Sequence, residues 1–190
     1  LWIGRGTSSL SPFAINRITS LLDSCRMGTS MNTIAITGGF GYIGSVVVPY
    51  LLEQGHRVQV LTRRAPHHEL SHPHLSVTLG DIRDDAILES LCQGADQLVH
   101  LAGVPDGPDP QTTRAINETA FHSVMRHAAL ASVKRLVFVS TAAIYGSGSA
   151  HPSREDDAPH PLSPYAEQKL ACETLLNTGC PDGLEYTILR

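Results

Sequence analysis

The chain has 190 residues, 42% hydrophobic and 17% charged, with a formal net charge of −4, the composition of one globular domain of ordinary size. It has no basic block or stripe, which argues against a nucleic-acid partner or a polybasic membrane anchor, and no apolar run approaches the roughly 18 to 20 residues of a membrane span. Cys25, Cys92, Cys172 and Cys180 form no CxxC pair and suit neither zinc nor a disulfide framework, so a reducing cytoplasm is the simplest setting.

Residues 1–30 have no sustained period, many Ser, Thr and Gly, and Arg5, Arg17 and Arg26 against the single acid Asp23. They read as an N-terminal extension without packed structure, upstream of a start at Met31; a transit peptide shares this composition. From 31 to 190 the pattern alternates. Residues 32–37 form a β-branched strand ending at glycines. A helix follows over 42–55, with Pro49 placed to kink it. Strands are expected at 56–62 and 75–81, a helix near 84–92, and a buried strand at 96–103. A long helix covers 111–132, and a strand over 134–146 runs into a loop. After a polar, proline-rich loop (151–164) come a helix over 165–178 closed by Gly179 and a sixth strand at 184–190. Strands alternating with helices predict an α/β fold, a doubly wound parallel sheet with ligand at the carboxyl ends of the strands. There is no internal repeat at a period of 20 to 50 residues.

The turn between the first strand and first helix reads "ITGGFGYIG" (36–44). Its position is the one a dinucleotide fingerprint requires. Gly38 takes the tight turn, Gly41 lets backbone approach a pyrophosphate, and Gly44 allows close packing of helix on strand. The helix N-terminus offers N–H groups and partial positive charge to phosphates. The end of the second strand reads the adenosine ribose. The expected acid is absent at Thr62, and Arg63 and Arg64 follow it. A guanidinium fork suits a 2′-phosphate, so the cofactor reading is NAD(P) with a lean to NADP.

"SPYAEQK" (163–169) opens the late helix. Tyr165 and Lys169 are four residues apart and share a face. A phenol is a poor base at neutral pH, and a neighbouring ammonium, with an oxidised nicotinamide nearby, stabilises its phenolate and lowers its pKa. Such a tyrosine exchanges a proton with a substrate hydroxyl while hydride moves at the same carbon.

With "TGGFGYIG", "GDIRD" (80–84), "LVHLAG" (98–103), "VSTAAIYG" (139–146) and "EDDAPHPLSPYAEQKLACE" (155–173) in this order, the chain resembles the extended short-chain dehydrogenase/reductases, the NAD-dependent epimerase/dehydratase group. The resemblance runs from Asn32 to Arg190. It implies a Rossmann-fold domain over 31–190, ending before a C-terminal substrate-binding region. Gly38, Gly41 and Gly44 would line the pyrophosphate, with the N–H groups of Tyr42 and Ile43 facing it. Asp81 and Ile82 would flank the adenine, and Leu101, Ala102 and Gly103 would pass beneath the cofactor. Thr141 takes the catalytic Ser/Thr position, Tyr165 is the acid/base, Lys169 holds the nicotinamide ribose, and Asn117 helps fix the active site. The implied partners are a small-molecule substrate, a nucleotide sugar, and a second copy paired through helices 111–132 and 165–178.

Ala142 and Ala143 stand where sugar 4,6-dehydratases have an Asp-Glu pair, which argues against a dehydratase of that type. Gly103 replaces an alanine, and Ala120 and Phe121 replace a glycine and a threonine. The resulting expectation is an NAD(P)-dependent epimerase or oxidoreductase acting at a secondary alcohol or ketone. The alternatives are an NADPH-dependent ketone or aldehyde reductase and a non-catalytic redox sensor. The region as it stands is expected to bind cofactor but to turn over poorly. His67, His68, His72 and His74 read as a polar loop beside the adenine end and not a metal site, Glu155–Asp157 as a solvated turn, and Ser140 as no hydrolase nucleophile, since no G-x-S-x-G frames it.

Overall fold

The computed structural model describes residues 31–64, 71–105, 107, 109–147 and 152–190; residues 1–30, and with them the expected extension, lie outside these. Six parallel strands form one sheet: β1 (Thr33–Thr37), β2 (Arg57–Thr62), β3 (Leu75–Leu79), β4 (Gln97–His100), β5 (Arg135–Val139) and β6 (Glu185–Leu189). Their order is β3-β2-β1-β4-β5-β6, the doubly wound arrangement whose chain reversal opens a crevice at the carboxyl ends of β1 and β4.

Period-two alternation sorts the strands' side chains onto two faces. Ile34, Ile36, Val58, Val60, Val99 and Val137 pack on one face with Val47, Val48 and Leu51 of helix α1 (Gly44–Glu53). Ala35, Leu61, Leu98, Leu136 and Phe138 pack on the other, with helices α2 (Asp85–Cys92), α4 (Ala120–Leu130) and α5 (Pro164–Gly179). α1 continues through Pro49.

The expected 111–132 helix is three segments. α3 (Pro110–Arg114) begins on an Asp109 cap with Pro110 in its first turn, the position where a missing N–H costs least. A π-helical turn follows over Ala115–Thr119, and the Ala120 N–H reaches back five residues to the Ala115 carbonyl. α4 completes the run. Two further boundaries differ from expectation. The β4 ladder stops at His100, and Leu101–Gly103 leave the sheet to floor the crevice. Gly179 is the last residue of α5 and Cys180 its cap. Among the described residues no helix is long and apolar enough to cross a membrane.

Candidate active site

A cavity of about 750 Å³ opens at the carboxyl ends of β1, β2, β3 and β4. Gly38, Gly41, Arg63, Asp81, Ile82, Leu101, Ala102 and Gly103 line it; Tyr42, Ile43, Gly44, Asn117, Thr141, Tyr165 and Lys169 do not.

At the glycine turn, Gly38 has φ +72°, and a Cβ there would lie 2.8 Å from the Ala102 nitrogen. Only glycine suits both the angle and the approach. The close contact with the sheet falls to Gly39, where a Cβ would stand 2.7 Å from a Val60 methyl. Gly44 packs on the Gly39 carbonyl instead of on a strand, which corrects the expectation; the adjacent glycine in "TGGF" was the available signal. α1 follows Ile43 as its N-cap, with no side-chain cap and no acid in its first turn, whereas Asp84, Asp109 and Ser163 cap α2, α3 and α5. Among the described residues no side chain caps this helix end, which leaves it open to an anion. A wall of missing Cβ atoms leading to an uncapped helix start fits a dinucleotide pyrophosphate.

At the end of the cavity beside β2, Thr62 donates to the Arg64 carbonyl at 3.0 Å, and exposed Arg63 and Arg64 stand at the rim. No carboxylate ends β2. The Asp81 carboxylate is held by Arg83 at 2.9 and 2.6 Å, and that hydrogen-bonded guanidinium pulls its pKa down, with Arg63 adding to the pull.

The opposite end is built from α5, the π-turn and β5. Ser163 accepts from the Ala166 N–H at 3.2 Å, and Pro164 fixes the first turn. The cap thus sets where α5 begins and places Tyr165 in its opening turn. One turn on, buried Lys169 donates to the Val139 carbonyl at 2.9 Å, with its ammonium 4.7 Å from the Phe138 ring centroid and 5.9 Å from that of Tyr165. Burial lowers the Lys169 pKa to about 8, with Cys172 and Glu173 acting in the opposite direction. Tyr165 is half-buried, and burial raises its pKa. The expected lowering, by the lysine together with an oxidised nicotinamide, concerns the cofactor-bound protein; in the chain by itself desolvation of the phenolate sets the direction.

Asn117 sits on the π-turn, and such bulges concentrate at functional sites. Its side chain accepts from the Val104 N–H at 2.7 Å and donates to the Val104 carbonyl and Gln168 Oε1 at 2.8 and 2.7 Å. It thereby joins the strand-end segment 101–104 to α5. A Cβ on Gly103 would lie 3.5 Å from Asn117 Oδ1 and 3.6 Å from Lys169 Nζ. Gly103 is therefore the point where the cavity floor meets the Tyr165–Lys169 pair. Thr141 is half-buried, and its hydroxyl accepts from the Ala143 N–H at 3.2 Å, capping a 3₁₀ turn over Ala142–Tyr145.

Pattern reading missed Glu173. It follows Lys169 by four residues, and it is as buried as the lysine. Its carboxylate takes Arg190 Nη2 at 2.7 Å and Nε at 3.1 Å, and accepts from the Ser140 hydroxyl. Arg190 also donates to the Tyr145 hydroxyl at 2.5 Å and the Glu155 carbonyl at 2.8 Å. The spacing Tyr-x-x-x-Lys-x-x-x-Glu was visible, but a helical Glu is ordinarily solvated, and its partners are 17 and 33 residues away.

The other candidates fall elsewhere. His72 and His74, their rings 5.6 Å apart, precede β3 at the sheet edge remote from the crevice and not beside the adenine end; His67 and His68 lie outside the described residues. Arg154 and Asp157 close a turn at 2.7 and 3.2 Å.

A doubly wound sheet with a glycine turn after β1 and a Tyr–Lys pair opening the helix beyond β5 defines a short-chain dehydrogenase/reductase. The chain belongs to the NAD dependent epimerase/dehydratase family, whose model matches residues 34–190. It is 36% identical over 165 residues to a UDP-glucose 4-epimerase of Halalkalibacterium halodurans, covering 83% of this chain and 49% of that protein. Among solved structures it is similar to the Bordetella bronchiseptica enzyme WbmG in complex with NAD and UDP, with a TM-score of 0.74 and 30% identity over 85% of this chain and 53% of that one. It is also similar to a UDP-glucose 4-epimerase with UDP-glucose from Thermotoga maritima, with a TM-score of 0.75 and 29% identity over 83% and 54%. The chain spans about half the length of these relatives.

Proposed function

We propose that this chain is the cofactor-binding part of an NAD(P)-dependent epimerase or oxidoreductase acting at a secondary alcohol or ketone of a nucleotide sugar. The observation that carries this reading is the placement of Tyr165 and Lys169 at the head of α5, with Lys169 Nζ adjoining Gly103 on the cavity floor. The relatives named UDP-glucose 4-epimerase and the neighbour holding NAD and UDP support the substrate class.

In this reading Gly38 and Gly41 admit the pyrophosphate and Lys169 holds the nicotinamide ribose. Hydride acceptance and return at the substrate carbon is the chemistry a bound nicotinamide supplies. Tyr165 Oη takes the proton of the substrate hydroxyl, and Thr141 Oγ1 hydrogen-bonds the same oxygen. Burial of Tyr165 keeps the phenol protonated in the chain alone, which suits donation to a forming alkoxide. Removing a proton from an alcohol needs added positive charge near the ring.

Arg63 favours a second reading, an NADPH-dependent reductase, because the end of β2 presents guanidinium and no carboxylate. Titrating NADH and NADPH by fluorescence against the parent and Arg63→Asp tests it. The expected result is tighter NADPH binding by the parent and a preference inverted by the variant; tighter NADH binding by the parent overturns the NADP assignment. Conversion of a UDP-sugar to its epimer, or net oxidation or reduction of the cofactor on adding it, lost in Tyr165→Phe, separates an enzyme from a redox sensor. The same reading includes weak turnover by this chain, a cytoplasmic setting and a homodimer through α3–α4 and α5, the last checked by sedimentation.

A further inference from the structure

We propose that Glu173 is a positioning residue, the third member of the Tyr165–Lys169 file, whose carboxylate locks the end of β5 to α5 and so holds Lys169 in place beside Tyr165. This rests on the reading of Tyr165 and Lys169 given above.

Residues 165, 169 and 173 recur every four positions, so they stack along one helix face. That face meets the end of β5 at consecutive residues. Lys169 is bonded to the Val139 carbonyl, and Glu173 to the Ser140 side chain. The Ser140 N–H is itself fixed to the Leu189 carbonyl at 2.6 Å, one strand over. Thr141 comes next and caps the turn that ends at Tyr145. Arg190 then joins the far oxygen of Glu173 to Tyr145 and to the 155 loop. One buried carboxylate thus ties α5, β5, the 3₁₀ turn and the segment after β6 around the two reactive side chains.

A solvated glutamate would do none of this, and a carboxylate this deep persists only with its partners in place. Shape alone would be served by glutamine. The charge has a second consequence, because it lies one turn from a buried ammonium. The groups facing Lys169 are Tyr165, Cys172 and Glu173 on its own helix, His100 from β4, and Asn117 from the π-turn. Glu118 acts on it through Cys172, and Arg190 through Glu173. His100 is wholly buried and burial holds it neutral, so Glu173 is the carboxylate that favours the charged lysine.

Lys134 and Lys169 are the only lysines of the chain, and Lys134 is exposed. Two lysine signals, one of them an internal reference, therefore allow direct titration of the intact chain by NMR without cofactor. In the parent, where burial lowers Lys169 to about 8, its midpoint is expected near that pH. In Glu173→Gln its midpoint falls, so that the neutral fraction at pH 7 rises roughly fivefold, while Lys134 is unchanged. Coincident Lys169 midpoints in parent and variant overturn the proposal, since loss of fold stability alone would leave them together. Should Glu173→Gln not fold, Ser140→Ala, which leaves the Arg190 pair intact, carries the test. Its Lys169 ammonium protons exchange with water faster than the parent's, and equal exchange overturns the proposal. Adding NADPH or NADH to the parent tests the underlying reading separately. An unmoved Lys169 signal on saturation with cofactor denies Lys169 its ribose contact and leaves the Glu173 result standing.

Discussion

The two ends of the crevice are made from opposite materials. The glycine-turn end is backbone: a helix start without a side-chain cap and positions where a side chain would collide. The α5 end is side chain: Tyr165, Lys169 and Glu173 on α5, Asn117 on the π-turn, and Ser140, Thr141 and Arg190 from the strand ends. The first depends on atoms being absent over seven consecutive residues. The second depends on polar atoms meeting from four elements and being desolvated together. Damage to the first should be steric and indifferent to pH; damage to the second should be electrostatic and carry a pH signature.

The largest expected effect is at the backbone end. Gly38→Val imposes a left-handed φ on a β-branched residue and drives its Cβ against Ala102. A loss of about 4 kcal/mol is expected, read by denaturant unfolding and unchanged between pH 6 and 9. A loss below about 1 kcal/mol would show that the turn relaxes freely and that the backbone end is less rigid than drawn here. At the side-chain end, Arg190→Met removes the cation from Glu173 and leaves a buried carboxylate with only a serine donor. About 3 kcal/mol is expected, and Arg190→Met/Glu173→Met should recover much of it. A double variant no more stable than the single one would deny the coupling.

Legibility in sequence divides along the same line. The alternation of strands and helices and the glycine turn were readable because hydrophobic period and glycine spacing are local signals. Tyr165 and Lys169 were readable because both partners lie within one helical turn. Glu173 was not, since its burial is decided by Ser140 and Arg190, far along the chain. The π-turn was hidden for a related reason. Apolar spacing over 111–132 is satisfied by an unbroken helix, and only the bonds from Asn117 to Val104 and Gln168 mark the bulge. The raised pKa of Tyr165 likewise follows from packing and not from the lysine beside it.

Lys169→Met sharpens the contrast through the sign of its pH dependence. Burial lowers this lysine from 10.5 to about 8, so the unfolded chain holds the proton more tightly than the folded one. Below pH 8 both states are charged and the folded state bears the full cost of desolvation. As pH rises from 8 towards 10.5 the cost is relieved and stability gains. Lys169→Met should therefore stabilise the chain by about 2 kcal/mol at pH 7, after allowing for the lost Val139 bond, and the advantage should shrink above pH 8. The difference between variant and parent is the quantity to follow, because burial raises the thiols of Cys92 and Cys172 to about 11 and about 12 and gives both proteins an opposing alkaline slope. Cofactor affinity should fall at least tenfold in the same variant. A stabilised protein that binds poorly is what a functional buried charge predicts; a destabilised one would mean that Lys169 is held for structure.

The smallest effect is expected where the two ends meet. Gly103 lines the cavity and adjoins Lys169, and the residue expected from the family resemblance is alanine. An added Cβ would lie 3.5 Å from Asn117 Oδ1 and 3.6 and 3.7 Å from Lys169 Nζ and Cε. These are ordinary contacts that require no atom to move, unlike those at Gly38 and Gly39. Gly103→Ala should accordingly change stability by less than about 0.5 kcal/mol. The methyl would displace water from one side of the ammonium, so the Lys169 midpoint should move down and not up. Unfolding curves and the lysine titration measure both quantities on one sample. A loss above about 1.5 kcal/mol would place Gly103 with the glycines that work by absence. An unmoved stability with a shifted Lys169 would assign it to the side-chain end, where the floor of the cavity tunes the charge beneath it.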